Sequence, residues 1–154
     1  MGLVIALNKG RIFKECLPLL AACEIQPNED PDKSRKLIFE SVSGGHKLIV
    51  TRSADVPTYV ENGAADIGIT GKDTILEYGD SMSFYERLDL KIGQCKMMTA
   101  GPVGVPEPEH VLRVASKFIN ITRKYYQSQS RQVALIKLSG AMEIAPLLGL
   151  ADCI

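Results

Sequence analysis

The sequence predicts an α/β protein in two lobes, and three observations carry that prediction. A strand-like run, a loop and a helical stretch follow one another three times in the first part of the chain. A second series of alternating strands and helices follows it. Between them lies a proline-rich break, Gly101-Pro102 and Pro106-Glu107-Pro108. Alternation of this kind implies largely parallel sheets covered on both faces. We place the boundary so that 1–92 form the first lobe and 93–154 the second.

Each element has its own reason. Residues 3–7 (LVIAL) read as a buried strand, broken by Asn8-Lys9-Gly10. From Arg11, the apolar Ile12, Cys16, Leu17, Leu19 and Leu20 recur at helical spacing and predict an amphipathic helix to about Cys23. Residues 36–42 and 47–51 flank Ser43-Gly44-Gly45-His46, whose adjacent glycines permit the positive φ values of an antiparallel hairpin. Asp55 is a candidate N-cap, with Pro57 in the first turn and Gly63 closing a short helix. Residues 65–70 read as the strand of the third strand–loop–helix unit, and Asp73 is a candidate cap for a helix over 74–78. In the second lobe the pattern predicts a helix near 108–112, a strand at 113–116, a helix at 120–128, a strand at 132–138, a helix at 141–148 and a strand opening at Leu150. The chain stops inside that last apolar run, so a further C-terminal segment is expected.

Composition bounds the function. The chain of 154 residues is 45% hydrophobic and 23% charged, enough for a proper core and far from the signature of disorder. Lys+Arg and Asp+Glu are both 18, so no global field favours nucleic acid or an anionic membrane, and any anion site must draw on local charge. The four cysteines include no C-x-x-C pair and both histidines lie far from them, which argues against structural zinc and for reduced thiols in the cytoplasm. No basic, apolar leader opens the chain and no stretch is long enough to span a membrane. A soluble cytoplasmic protein is expected.

In open α/β sheets, ligands bind at the carboxyl ends of the strands, where loops and helix N-termini favour anions. The first-lobe loops carry Lys9 and Arg11, then Arg52, then Lys72, so a neutral molecule gathers cations on one edge. Asn8-Lys9-Gly10-Arg11 sets a glycine between two cations at a helix start, where the dipole disfavours cations unless an anion offsets them. It reads as a phosphate grip or as a solvated basic turn. Arg35 is a candidate bidentate clamp or a surface charge, and Arg52 stands directly before a helix. Asp55 and Asp73 read as caps, and His46 and His110 as exposed. In Ser139-Gly140-Ala141-Met142-Glu143, backbone amides and Glu143 form a candidate site or a plain capped helix start. No nucleophile, general base or resident metal site is assigned from spacing.

The stretches IALNKGR (5–11), SRKL (34–37), RSADVPTYVENGAADIGITGKDTILE (52–77), AGP (100–102), RVASKFINITRKYY (113–126) and IKLSGAMEIAPLLGLAD (136–152) resemble the catalytic subunits of the ATP phosphoribosyltransferase family, the first enzymes of histidine biosynthesis. Order and spacing match across essentially the whole chain. The resemblance implies a two-lobed α/β fold of the type II periplasmic-binding-protein kind, with mixed sheets and a cleft between lobes. It implies that N1 of ATP displaces pyrophosphate from C1 of phosphoribosyl pyrophosphate with inversion, giving N1-(5-phosphoribosyl)-ATP. Mg²⁺ is then held mainly through the substrate polyphosphates.

Carried over by motif, Lys9, Gly10 and Arg11 contact phosphates or nucleotide, Arg35 and Arg52 match positions that hold ATP, Lys72 and Asp73 sit on a cleft loop, and Glu143 lies near the phosphoribosyl group. Length implies the short form, with a histidyl-tRNA-synthetase-like regulatory subunit and a homodimer within a hetero-oligomer. Asn8, Ile119 and Ala141 replace a proline, a proline and a serine usual in the family. The family's Asp-x-Val-x-[TS]-Gly-x-Thr-Leu loop, which cradles the 5′-phosphate, has no match here, and without it phosphoribosyl pyrophosphate binding should be badly impaired. Two other readings stay open: a non-catalytic nucleotide or small-molecule binding module of solute-binding-protein type, and an inactive remnant.

Overall fold

A computed structural model describes residues 2–79, 82–106 and 108–154. The chain divides into two compact units, Met1–Gln94 and Cys95–Ile154.

The first unit is a four-stranded mixed sheet. Its strands are β1 (Val4–Asn8), β2 (Ile38–Glu40), β3 (Lys47–Thr51) and β4 (Ile67–Ile69), in the order β2-β3-β1-β4. β1 pairs parallel with β3 and β4, while β2 runs antiparallel to β3. As the central strand, β1 is buried on both faces, which explains its unbroken apolar run. Ile5 and Leu7 join Phe13, Cys16 and Leu20 of helix α1 (Arg11–Ala22), and Ala6 faces Val56 of helix α2 (Val56–Glu61). Helix α3 (Lys72–Tyr78) follows β4, and its Tyr78 hydroxyl donates to Glu61 of α2. α2 approaches β4 closely because Gly68 has no side chain; a Cβ there would lie 2.8 Å from both Val56 Cγ1 and Val60 Cγ2.

The β2–β3 hairpin forms as expected, with Gly44 and Gly45 at φ 74° and 84°. Its turn differs in one respect. His46, expected to be exposed, is half-buried, and its Nδ1 accepts the Leu3 amide at 3.2 Å.

The second unit is built on two parallel strands, β5 (Leu112–Ser116) and β6 (Val133–Lys137), joined through helix α4 (Ile119–Ser128). Cys153 forms a parallel bridge to Val114, and Ala100 and Ile154 exchange amide hydrogen bonds at 3.0 and 2.8 Å. Leu112, Val114 and Tyr126 form one small core, and Ala115, Ala145 and Ala151 another. Burial and then the neighbouring Cys153 thiol push the Tyr126 phenol up to about 12. All four thiols are free, and among the described residues no helix is long and apolar enough to cross a membrane.

Two expected helices are absent. The segment at 108–112 bends at Glu109 and His110 and enters β5 at Leu112, because His110 and Arg113 are both drawn to Asp152. The segment at 141–148 is a 3₁₀ turn (Met142–Ile144) followed by tight turns. Ala141 is left-handed at φ 51°, Pro146 has no N–H to extend a helix, and the Leu150 and Ala151 amides fold back onto the Ala145 carbonyl.

Asp152 fastens that returning segment. Its carboxylate accepts the Arg113 amide at 2.8 Å, Arg113 Nη2 at 2.7 Å and Nε at 3.3 Å, and lies 3.1 Å from His110 Nε2. Arg113 Nη1 donates to the Gly149 carbonyl at 2.9 Å. The Arg113 guanidinium, then its amide, hold Asp152 well below the usual carboxylate range. A carboxylate depressed in the folded state stabilises it above the unfolded pKa of about 4, and that contribution is lost as the pH falls through the folded value. Asp152→Asn should therefore lower the melting temperature near neutrality, with the gap from the parent closing below about pH 4. Paired melting curves between pH 7 and 2 check this, and a gap independent of pH contradicts it.

Candidate substrate-binding edge

Register decides where the first unit's loops emerge. Asn8 lies opposite Thr51 and Leu7 opposite Ile69, so the carboxyl ends of β1, β3 and β4 stand side by side. Lys9, Gly10 and Arg11 leave the first, Arg52 the second, and Gly71, Lys72 and Asp73 the third. β2 runs the other way, so its entry, not its exit, reaches this edge. The Val50 amide donates to the Leu37 carbonyl at 2.8 Å, and Arg35 stands two residues before Leu37. Seven of the eight predicted residues thus converge on one sheet edge.

The cations there are not equivalent. Lys9, Arg35 and Arg52 are exposed, and among the described residues their side chains make no hydrogen bond or ion pair. Arg11 is braced instead: its Nε lies 3.6 Å from Glu15, its Nη2 donates to the Gly93 carbonyl at 3.2 Å, and the Gly93 amide donates to Glu15 at 2.7 Å. Lys72 is ion-paired with Glu86. Gly10 has φ 115° and ψ −150°, a region open in practice only to glycine, and it lets α1 begin directly at Arg11. Asn8 donates through Nδ2 to the Lys9 carbonyl at 3.2 Å, while its buried Oδ1 has no donor among the described residues.

Neither aspartate caps as expected. Asp55 ends a 3₁₀ turn (Ser53–Asp55), already helical at φ −93° and ψ −18°, and makes no side-chain cap bond; the turn, not the carboxylate, launches α2. α3 starts at Lys72 with Gly71 at its N-cap, which puts Asp73 inside the first turn. There its Oδ1 accepts the Thr74 amide at 2.7 Å, and a negative charge suits the helix dipole.

Glu143 is not part of this edge. It belongs to the second unit, exposed in the 3₁₀ turn after the Ser139–Ala141 loop at the carboxyl end of β6. The residues that spacing did not single out are hydroxyls. Ser53 Oγ lies 3.0 Å from Thr70 Oγ1 and 2.7 Å from Thr74 Oγ1, next to the cationic residues of two loops. Their signal in the sequence is a Ser or Thr beside two of the three cation-bearing loops, those of Arg52 and Lys72, a pattern too common to be read alone.

Known proteins resemble the chain in both sequence and fold. Residues 52–154 match a family model described as HisG: ATP phosphoribosyltransferase. An ATP phosphoribosyltransferase of Ectopseudomonas mendocina is 59% identical over 150 residues, covering 97% of this chain and 71% of that protein. One from Pseudomonas aeruginosa is 58% identical with the same coverage. The fold is similar to that of a solved chain in the ATP phosphoribosyl transferase (HisG:HisZ) complex from Thermotoga maritima, at TM-score 0.80 and 32% identity, covering 99% of this chain and 71% of that one.

Proposed function

The chain belongs to the ATP phosphoribosyltransferase family, and on that footing we propose that Lys9, Gly10, Arg11, Arg35, Arg52 and Lys72 hold the phosphate and nucleotide groups of its substrates. The family's reaction, the first step of histidine biosynthesis, condenses ATP with phosphoribosyl pyrophosphate to give N1-(5-phosphoribosyl)-ATP and pyrophosphate. The observation that carries the residue assignment is the convergence of those cations on one sheet edge, three of them with no partner among the described residues. The chemistry suits such an edge. Adenine N1 attacks C1 as the pyrophosphate departs, so catalysis needs two reactants aligned and a growing negative charge stabilised, not a protein nucleophile.

Three further parts complete the reading. Among the described residues no three metal-ligating side chains cluster, and Asp73, the carboxylate nearest the cations in sequence, is committed to Thr74. The polyphosphate substrates of the family's reaction are themselves Mg²⁺ ligands, and Mg²⁺ is held mainly through them, with the protein supplying cations around it. Glu143, exposed in the second unit, is assigned to binding the phosphoribosyl group. The Thermotoga maritima relative is found with HisZ, and a regulatory subunit of that kind is the partner we assign here, in the cytoplasm.

The test is product formation. With ATP, Mg²⁺ and phosphoribosyl pyrophosphate, phosphoribosyl-ATP and pyrophosphate should form in equal amounts, faster when the regulatory subunit is added. ATP binding without turnover, with that subunit present, points instead to a binding module.

A further inference from the structure

In the first unit, β3 and β4 are not neighbours, because β1 lies between them. Strands two positions apart are separated by roughly 10 Å, and no ladder hydrogen bond joins them directly. The loops that carry Arg52 and Lys72 therefore need another device to fix their distance across the end of β1. Three hydroxyls supply it.

Ser53 follows Arg52, and Thr70 and Thr74 bracket Gly71-Lys72-Asp73. Thr70 Oγ1 lies 3.0 Å from Ser53 Oγ and 3.3 Å from the Ser53 carbonyl oxygen. Ser53 Oγ lies 2.7 Å from Thr74 Oγ1, which reaches Asp73 Oδ1 at 3.5 Å. Each hydroxyl has one proton to give. Either hydroxyl of the Ser53–Thr70 and Ser53–Thr74 pairs can be the donor, while the Ser53 carbonyl and Asp73 Oδ1 only accept, the first from Thr70 and the second from Thr74. Thr74 is buried and the other two are half-buried, where the lower local dielectric strengthens such hydrogen bonds.

We infer that Ser53, Thr70 and Thr74 are positioning residues for nucleotide binding: they hold the Arg52 loop against the Lys72 loop and so set the width of the cation edge. The inference rests on the reading of Arg52 as a substrate-holding residue. None of the three hydroxyls touches substrate in this scheme.

The experiment is a double-mutant cycle in the assembled enzyme, with Ser53→Ala, Arg52→Ala and the pair, reading the KM for ATP, kcat and the melting temperature. Ser53→Ala should raise the KM for ATP roughly three- to tenfold, the scale of one neutral hydrogen bond. It should leave kcat within about twofold and add little in the Arg52→Ala background. Thr74→Val should match Ser53→Ala and not add to it; if it fails to fold, Ser53→Ala carries the test. An unchanged KM in folded Ser53→Ala overturns the brace, as does a full multiplicative effect on top of Arg52→Ala. If Arg52→Ala alone leaves the KM unchanged, the reading of Arg52 fails and the brace with it, a result distinct from the other two.

Discussion

Arg52→Ala should raise the KM for ATP about ten- to a hundredfold while leaving the protein folded. The size follows from the chemistry of an arginine fork on a phosphate, a charge-assisted contact about twice as strong as a neutral hydrogen bond, with each tenfold costing about 1.4 kcal/mol. The sparing of the fold follows from the structure. The Arg52 side chain is exposed and makes no ion pair or hydrogen bond among the described residues, so its removal strands no buried partner there. Thermal unfolding and ATP titration on the same preparation check both halves. A folded variant with unchanged ATP affinity removes Arg52 from the site.

Gly10→Ala should damage both stability and activity. At φ 115° and ψ −150° the backbone occupies a region essentially closed to other residues, and holding alanine there costs about 1–3 kcal/mol. A Cβ at Gly10 meets no other atom within 4 Å, so the strain is in the backbone alone and the loop relieves it by turning. Turning it moves Lys9 and Arg11 together. The expected result is a melting temperature lowered by several degrees and kcat/KM reduced at least tenfold. Gly44→Ala is the control: it is also at positive φ, at 74°, but in the hairpin turn at the other end of β3, so it should lose stability and keep the kinetics of the parent. Equal loss of activity in both variants argues that Gly10 acts only through stability.

Most of the first unit was legible because its signals are local and agree with one another. The β-branched run of β1, the paired glycines of the hairpin and the loop after each parallel strand all point to one topology, and that topology delivers the cations to one edge without further information. The misreadings share a cause in contacts between residues remote in sequence. The 141–148 segment has the apolar content of a helix, yet Ala145 takes two returning amides and Asp152 is fixed to Arg113, on a strand that precedes it by a full helix and strand. His46 reads as a turn residue until the Leu3 amide reaches it. Asp73 reads as a cap because the sequence does not reveal that Gly71 already starts the helix. The hydroxyl brace was invisible for the same reason: Ser53 and Thr74 meet only after two strands have been sorted to either side of β1.

That sorting also sets the order of events during folding. β1 is the first strand of the chain, but its pairing with β4 is reached only across a separation of 62 residues, the span between Val4 and the Asp66 carboxylate that accepts its amide. Closing so long a loop costs entropy before any ladder bond is gained, whereas β5 and β6 are adjacent strands joined by a single helix. β5 and β6 should therefore pair before β1 meets β4, and β1, with Lys9 and Gly10 at its end, waits for the last strand of its own sheet before the charged edge is complete.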